Sequence, residues 1–182
     1  NLLSSNVTYT VPADKTLTTP AASVTGKLVD GAGDVAVTAL ANTSALVGIT
    51  ASGTITVAAA TDATIDAFEG SMPATATTFS NDMTFTSSAS LTTGETYTVP
   101  QNKTLTTPAS VVDGMTISGD GSVAITAMDA TTDADVSLIT AAGGVTGTFS
   151  ANCTFAGTLS TTQAYSVDSG VTVTAAASVV TG

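Results

Sequence analysis

The chain has 182 residues, a mean hydropathy of +0.40 and only 9% charged residues, values that exclude a disordered polymer and leave one large domain or two small ones. Three basic residues (Lys15, Lys27 and Lys103) stand against 14 acids, a net charge of −11, which excludes nucleic acid and disfavours an anionic membrane surface as partners. There is no His, so a Ser-His-Asp triad and a Cys/His metal centre are excluded as well.

In chain order, short alternating runs rich in Val, Ile, Thr and Tyr predict strands at 7–11, 35–38, 54–57, 83–85, 96–99, 123–126 and 171–174. The turns between them carry Pro-Ala-Asp, Asp-Gly, Gly-Asp-Gly and Asp-Ser-Gly, residues that tolerate turn dihedrals. Helical signals are scarce. Segments 43–49, 61–68 and 132–139 each begin with a Ser/Thr/Asp capping residue and space apolar residues three to four apart, which predicts single helical turns. Phe79, Met83 and Phe85 share one parity, so an unbroken strand would point all three inward. No apolar run reaches the roughly 18 residues that span a bilayer. The first residues, NLLSS, lack the regions of a secretory leader.

A longer pattern overrides these local signals. TYTVPADKTLTTPAASVTG at 8–26 returns as TYTVPQNKTLTTPASVVDG at 96–114 and as AYSVDSGVTVTAAASVVTG at 164–182. Tyr9, Tyr97 and Tyr165 are equivalent, with spacings of 88 and 68 that differ by 20 residues. The same interval separates GDVAVTA at 33–39 from GTITVAA at 53–59, so the first unit holds one extra module, roughly 53–72. Phe79 and Phe85 match Phe149 and Phe155, and Met83 matches Cys153, which predicts a buried, apolar thiol. These nine residues form the predicted repeat core.

Loss of one module discriminates between folds. Removing 20 residues from a β-sandwich deletes about two strands and breaks the sheet order, whereas in a stacked coil the neighbours close up. The expected fold is therefore all-β: a single parallel β-solenoid domain over 1–182, with repeat units at roughly 1–76, 77–142 and 143–182. It would have about eight coils of roughly 20 residues, short helical turns at some corners, and a length of about 40 Å at the strand spacing.

TYTVPQNKTLTTPASVVDG resembles the YTVPxGxTLT coils of secreted bacterial β-helix proteins, and AITAMDATTDADVSLITAAG is similar to repeats of very large surface-exposed bacterial β-solenoid proteins. The resemblance covers most of the chain with short motifs. It implies an extracellular, fibrous, adhesin-like or sheath-like setting and supplies no catalytic residues.

Asp30, Asp34, Asp113 and Asp120 lie in two matching Gly-rich turns, VDGAGD and VDGMTISGDG. Clustered carboxylates with backbone carbonyls bind calcium, although the spacing departs from a twelve-residue EF-hand loop and turn chemistry accounts for the same Asp-Gly pairs. No other cofactor is expected. Asp62, Asp66 and Glu69, with Asp129, Asp133 and Asp135, resemble acid pairs but flank corners, where solvated carboxylates are expected rather than acid–base catalysis. Asn6, Asn42, Asn102 and Asn152 stand in N-x-Ser/Thr sequons, which require an extracellular route to be used. The functional expectation is a non-enzymatic structural protein outside the cell. No cap is recognisable at either end, so the expected partner is the chain itself in a head-to-tail homopolymer, with a glycan or other surface as a further contact. The alternatives are a segment of a longer adhesin stalk, a β-sandwich subunit that exchanges a strand, and a carbohydrate-active β-helix.

Overall fold

A computed structural model of the chain describes residues 7–59, 65–130, 133–159 and 163–180. The first turn holds β1 (Thr8–Val11), β2 (Thr16–Pro20) and a four-residue helix, α1 (Ala21–Val24). In the second, β3 (Leu28–Gly31) and β4 (Asp34–Thr38) lie parallel on β1 and β2. β5 (Ile55–Val57) continues on β4, and β6 (Ile65–Phe68) follows it. β7 (Thr77–Phe79) and β8 (Met83–Phe85) stack on that pair. β9 (Thr96–Thr98) and β10 (Thr104–Pro108) come next and lead into α2 (Ala109–Val112). β11 (Thr116–Ser118) and β12 (Ser122–Thr126) cover them, ending in a 3-10 turn at Met128–Ala130. β13 (Val145–Phe149) ends the seventh turn. β14 (Cys153–Phe155) and β15 (Ala164–Val167) belong to the eighth, and β16 (Val173–Ala175) and α3 (Ala177–Val180) run on beyond it.

The chain is thus a parallel β-solenoid of about eight turns. Every strand pair among the described residues is parallel, which the β-sandwich alternative does not allow. Each turn has three sides. In the third turn Ile49 bridges Val29 on the first side, β5 takes the second and β6 the third. The second side stacks β2, β4, β5, β7, β9 and β11, and the third stacks β6, β8, β10, β12, β13 and β15. β14 and β16 come after the third side, and so return to the side on which β1 and β3 lie lower down. The register advances 18 residues from Leu17 to Val35, 20 from Val35 to Ile55 and 22 from Ile55 to Thr77.

The long repeat is out of step with the turns. Tyr9 lies in β1 on the first side, Tyr97 in β9 on the second and Tyr165 in β15 on the third. One side of the phrase takes eight residues, from Tyr9 to Leu17 or from Tyr97 to Leu105. The spacing of 88 is therefore four turns and one side, and 68 is three turns and one side. The difference of 20 is one whole turn, as the loss of a module requires.

Helical turns form elsewhere than expected. Segments 43–49 and 133–139 contain no helix, 65–68 is β6, and residues 61–64 and 132 lie outside the described residues. Polar residues inside these segments close local turns instead: Ser44 Oγ accepts the Ala41 N–H at 3.0 Å, and Asp135 Oδ1 accepts the Ser137 N–H at 3.0 Å and its hydroxyl at 2.6 Å. Ala45 and Asp135 then bridge to the next turn, at Ser71 and Thr158. Helix appears within the phrase. α1 and α2 start directly after Pro20 and Pro108, which are extended (φ −67° and −66°) and cannot donate to a further ladder. Ala21, Val24, Ala109 and Val112 anchor these helices in the core.

The interior is one continuous apolar column. The strand expected to run through Phe79, Met83 and Phe85 breaks at a corner, yet all three are buried, because β7 and β8 face the core from adjacent sides. Phe79 stacks on Tyr97 with ring centroids 6.0 Å apart and meets Phe85 edge-on at 5.8 Å. Phe149 and Phe155 repeat the edge contact at 5.3 Å, one side further round. Burying such a ring is worth about 3 kcal/mol.

Candidate functional site

The corners show what the acids do. Asp34 Oδ1 accepts the N–H of Thr54 at 2.8 Å, Asp82 that of Thr104 at 2.8 Å, and Asp113 that of Asp135 at 2.8 Å. Asp129 accepts the N–H of Ser150 at 2.7 Å and its hydroxyl at 3.0 Å, and Asn152 accepts the N–H of Thr172 at 2.7 Å. In each case the donor lies one turn further along, where the strands part and the N–H has no backbone acceptor. The buried Asn81 serves the preceding turn, accepting the Ala59 N–H at 2.7 Å. Sequence reasoning missed Asn81, Asp82 and Asn152. Their signal is an Asx residue at a corner about one turn from a strand-opening N–H.

The calcium candidates are not gathered. Asp34 and Asp113 are used at separate corners, Asp120 is exposed in the turn before β12, and Asp30 lies in β3 with an enclosed Oδ1. The described residues hold no group of three or more His, Cys, Asp or Glu side chains that would bind a metal ion. The Asp-Gly chemistry serves the backbone. Gly31 and Gly119 adopt φ of +106° and +109°, and a Cβ at either would collide with the carbonyl oxygen of Val11 or Val99 in the turn below. Of the other acids, Asp62 lies outside the described residues, Asp129 and Asp135 serve different corners, and Asp133 is exposed. Lys15 and Lys103 close equivalent turns, their N–H groups donating to Pro12 O at 3.2 Å and Pro100 O at 3.1 Å.

Cys153 is half-buried rather than fully enclosed, paired with Val173 of β16. Burial and the nearby Asp129 carboxylate push its thiol up, away from the reactive thiolate. Burial works to raise Asp129 too, but the Ser150 N–H and hydroxyl prevail and hold it below the usual carboxylate range. Burial raises Tyr97, whose oxygen accepts the Thr92 N–H at 2.8 Å and whose hydroxyl donates to Pro73 O at 3.3 Å.

On the second side, a shallow groove of about 430 Å³ runs past Asp34, Thr54, Thr78, Thr96 and Thr98. It is rich in hydroxyls and has no aromatic platform in its lining.

The two end turns differ from the middle. Tyr97, Leu105 and Val99 are 0–1% exposed in the central copy of the phrase. In the first copy Tyr9 and Leu17 are only half-buried while Val11 is buried, and Val7, just before the phrase, is 49% exposed. In the last copy Tyr165 and Val173 are half-buried and Val167 is 50% exposed. Among the described residues no strand pairs with the lower edges of β1 and β2 or the upper edges of β15 and β16. The second side is closed at the C-terminal end. Gln163 Nε2 donates to Ile139 O at 2.7 Å and Val136 O at 3.3 Å, while the Tyr165 hydroxyl donates to Gln163 Oε1. Gln163 is thus a partial cap that the sequence reading did not expect.

No helix among the described residues is long and apolar enough to cross a membrane. No protein-family model, curated protein or solved structure matches this chain.

Proposed function

We propose that the chain is a structural protein that stacks end to end into a β-rich fibre or sheath outside the cell, and that it works by shape rather than catalysis. The observation that carries this reading is that the same phrase lies on each of the three sides of an all-parallel ladder, so that a turn of this chain accepts another turn of its own kind. A contact between first and last turns is heterologous and does not close on itself, so it propagates as a filament. The extracellular setting rests on composition and on the resemblance to secreted bacterial solenoids. The engagement of Asp34, Asp82, Asp113 and Asp129 at corners argues against acid–base chemistry there. Electron microscopy of the purified chain tests the proposal. Unbranched filaments with a layer line near the strand spacing of about 4.8 Å are expected. Uniform single particles at high concentration would overturn it.

A further inference from the structure

The groove on the second side lies mid-stack, over strands of the second to fifth turns. Val35, Ile55, Thr77 and Tyr97 are buried beneath it, so the alternate residues of the same strands point outward. Asp34, Thr54, Ala76 and Thr96 follow one another in one outward column, and Thr56, Thr78 and Thr98 in the next.

Two small residues shape the groove. Ala76 carries only a methyl where Thr54 and Thr96, on the strands to either side, carry hydroxyls, so the column is dented at β7. Gly53 gives the Asp34 carboxylate room to turn onto the Thr54 N–H at 2.8 Å, since a Cβ there would lie 2.8 Å from Asp34 Oδ1 and 2.4 Å from Gly33 O. The exposed Asp34 is thereby held at one end of the groove, with its second oxygen still able to accept. Other threonine hydroxyls serve the chain's own carbonyls: Thr25 donates to Ala21 O at 2.9 Å, Thr77 to Thr75 O at 2.9 Å and Thr86 to Phe68 O at 3.3 Å. Those of Thr54, Thr78, Thr96 and Thr98 make no such bond among the described residues.

The chemistry of the lining selects the ligand. The backbone groups of these strands pair with strands on both sides, so an extended peptide finds no edge to join. No lysine lines the groove among the described residues and the chain carries −11, which repels a polyanion. What the groove offers is a row of hydroxyls that donate and accept, interleaved with methyl groups and repeated about every 4.8 Å from strand to strand. An extended neutral polysaccharide presents the complementary pattern: ring hydroxyls that donate and accept, C–H faces, and an advance per sugar close to the strand spacing. From Asp34 to Thr96 is three strand steps, about 14 Å, which is room for about three sugars. We infer that this groove binds a neutral, extended, β-linked polysaccharide lying along the solenoid axis, its hydroxyls bonded to Asp34, Thr54, Thr78, Thr96 and Thr98 and a ring seated over Ala76. Binding of this kind needs only one copy of the chain and does not depend on the stacking proposed above.

Isothermal titration of the purified chain with cellohexaose, an extended β-linked hexasaccharide, tests this. Maltohexaose, whose α-linkages curve the chain, and hexagalacturonate, charged on every ring, are the comparisons. Cellohexaose should bind more tightly than either. Thr78→Val and Thr98→Val should each weaken it about fivefold, the loss of one neutral hydrogen bond. Ala76→Ile fills the dent and should weaken it more than either valine. Thr146→Val, exposed on the third side, should leave the affinity unchanged. Melting curves that match the unmodified chain show that the variants fold. No binding of cellohexaose, tighter binding of either comparison sugar, or binding that the three groove variants leave unchanged would overturn the inference. So would a loss with Thr146→Val as large as with Thr78→Val. Electron microscopy of the same samples reads stacking separately, so failure of the groove leaves the fibre proposal standing.

Discussion

Removing residues 35–54 should excise one turn and leave a folded protein. The register pairs Val35 with Ile55, 20 residues on, so the cut places Ile55 on Leu17 and Val57 on Thr19 without disturbing the corner at Gly31 and Gly33. Ser71, which pairs with Ala45, inherits its place above Gly26, whose N–H now donates to Ala45 O at 2.8 Å. The excised residues include buried Val35, Val37, Leu40, Leu46 and Ile49, but each belongs to a column that continues above and below. At about 0.7 kcal/mol per residue, the calorimetric enthalpy should fall by roughly 14 kcal/mol, with a single cooperative transition retained. The molecule should shorten by about 4.8 Å in small-angle scattering. Deleting only 35–44 removes half a turn, brings side columns out of register and should abolish cooperative melting. If the two deletions behaved alike, both folding or both failing, the argument that turns are exchangeable units would be refuted.

Other outcomes follow from single residues. Gly119→Ala should destabilise the protein by about 3 kcal/mol in a denaturant titration, since the φ of +109° and the Val99 carbonyl leave no place for a Cβ. Asp82→Ala should cost about 1 kcal/mol by stranding the Thr104 N–H, while Asp82→Asn keeps an acceptor and should cost clearly less; equal losses would show that charge matters more than the corner bond. Asp129 is held below its ordinary pKa in the folded chain, so its stabilising contribution is complete above the unfolded value near 4 and fades as pH falls through the lower folded value. Asp129→Asn should therefore flatten the loss of stability as pH falls below about 4, as measured by chemical denaturation at each pH.

The fold was legible in the sequence because its strongest signals are redundant. The 20-residue interval and the alternation at 35–38 and 54–57 both return one turn later, so each supports the other. Helix position was not legible. The caps at Thr43 and Thr132 look local, but inter-turn bonds at Ala45 and Asp135 claim the same stretches, whereas Ala21 and Ala109 turn helical because a proline ends the strand before them. The burial of Tyr9 and Cys153 was overestimated, since both are only half-buried. The corner carboxylates were visible as acids in turns, yet their role depends on an N–H about 20 residues away, which no local motif records.

The displacement of the phrase by one side has a consequence for how such a chain can grow. A duplicated gene segment need not encode a whole number of turns to be harmless. If it ends one side late, the new copy still meets strands of the right length and apolar columns of the right parity, because Tyr9, Tyr97 and Tyr165 show that all three sides accept the same phrase. Recombination between copies therefore has three times as many tolerated outcomes as in a solenoid whose sides are chemically distinct. It also distributes α1, α2 and α3 over different sides, so that no one side carries all the helical interruptions.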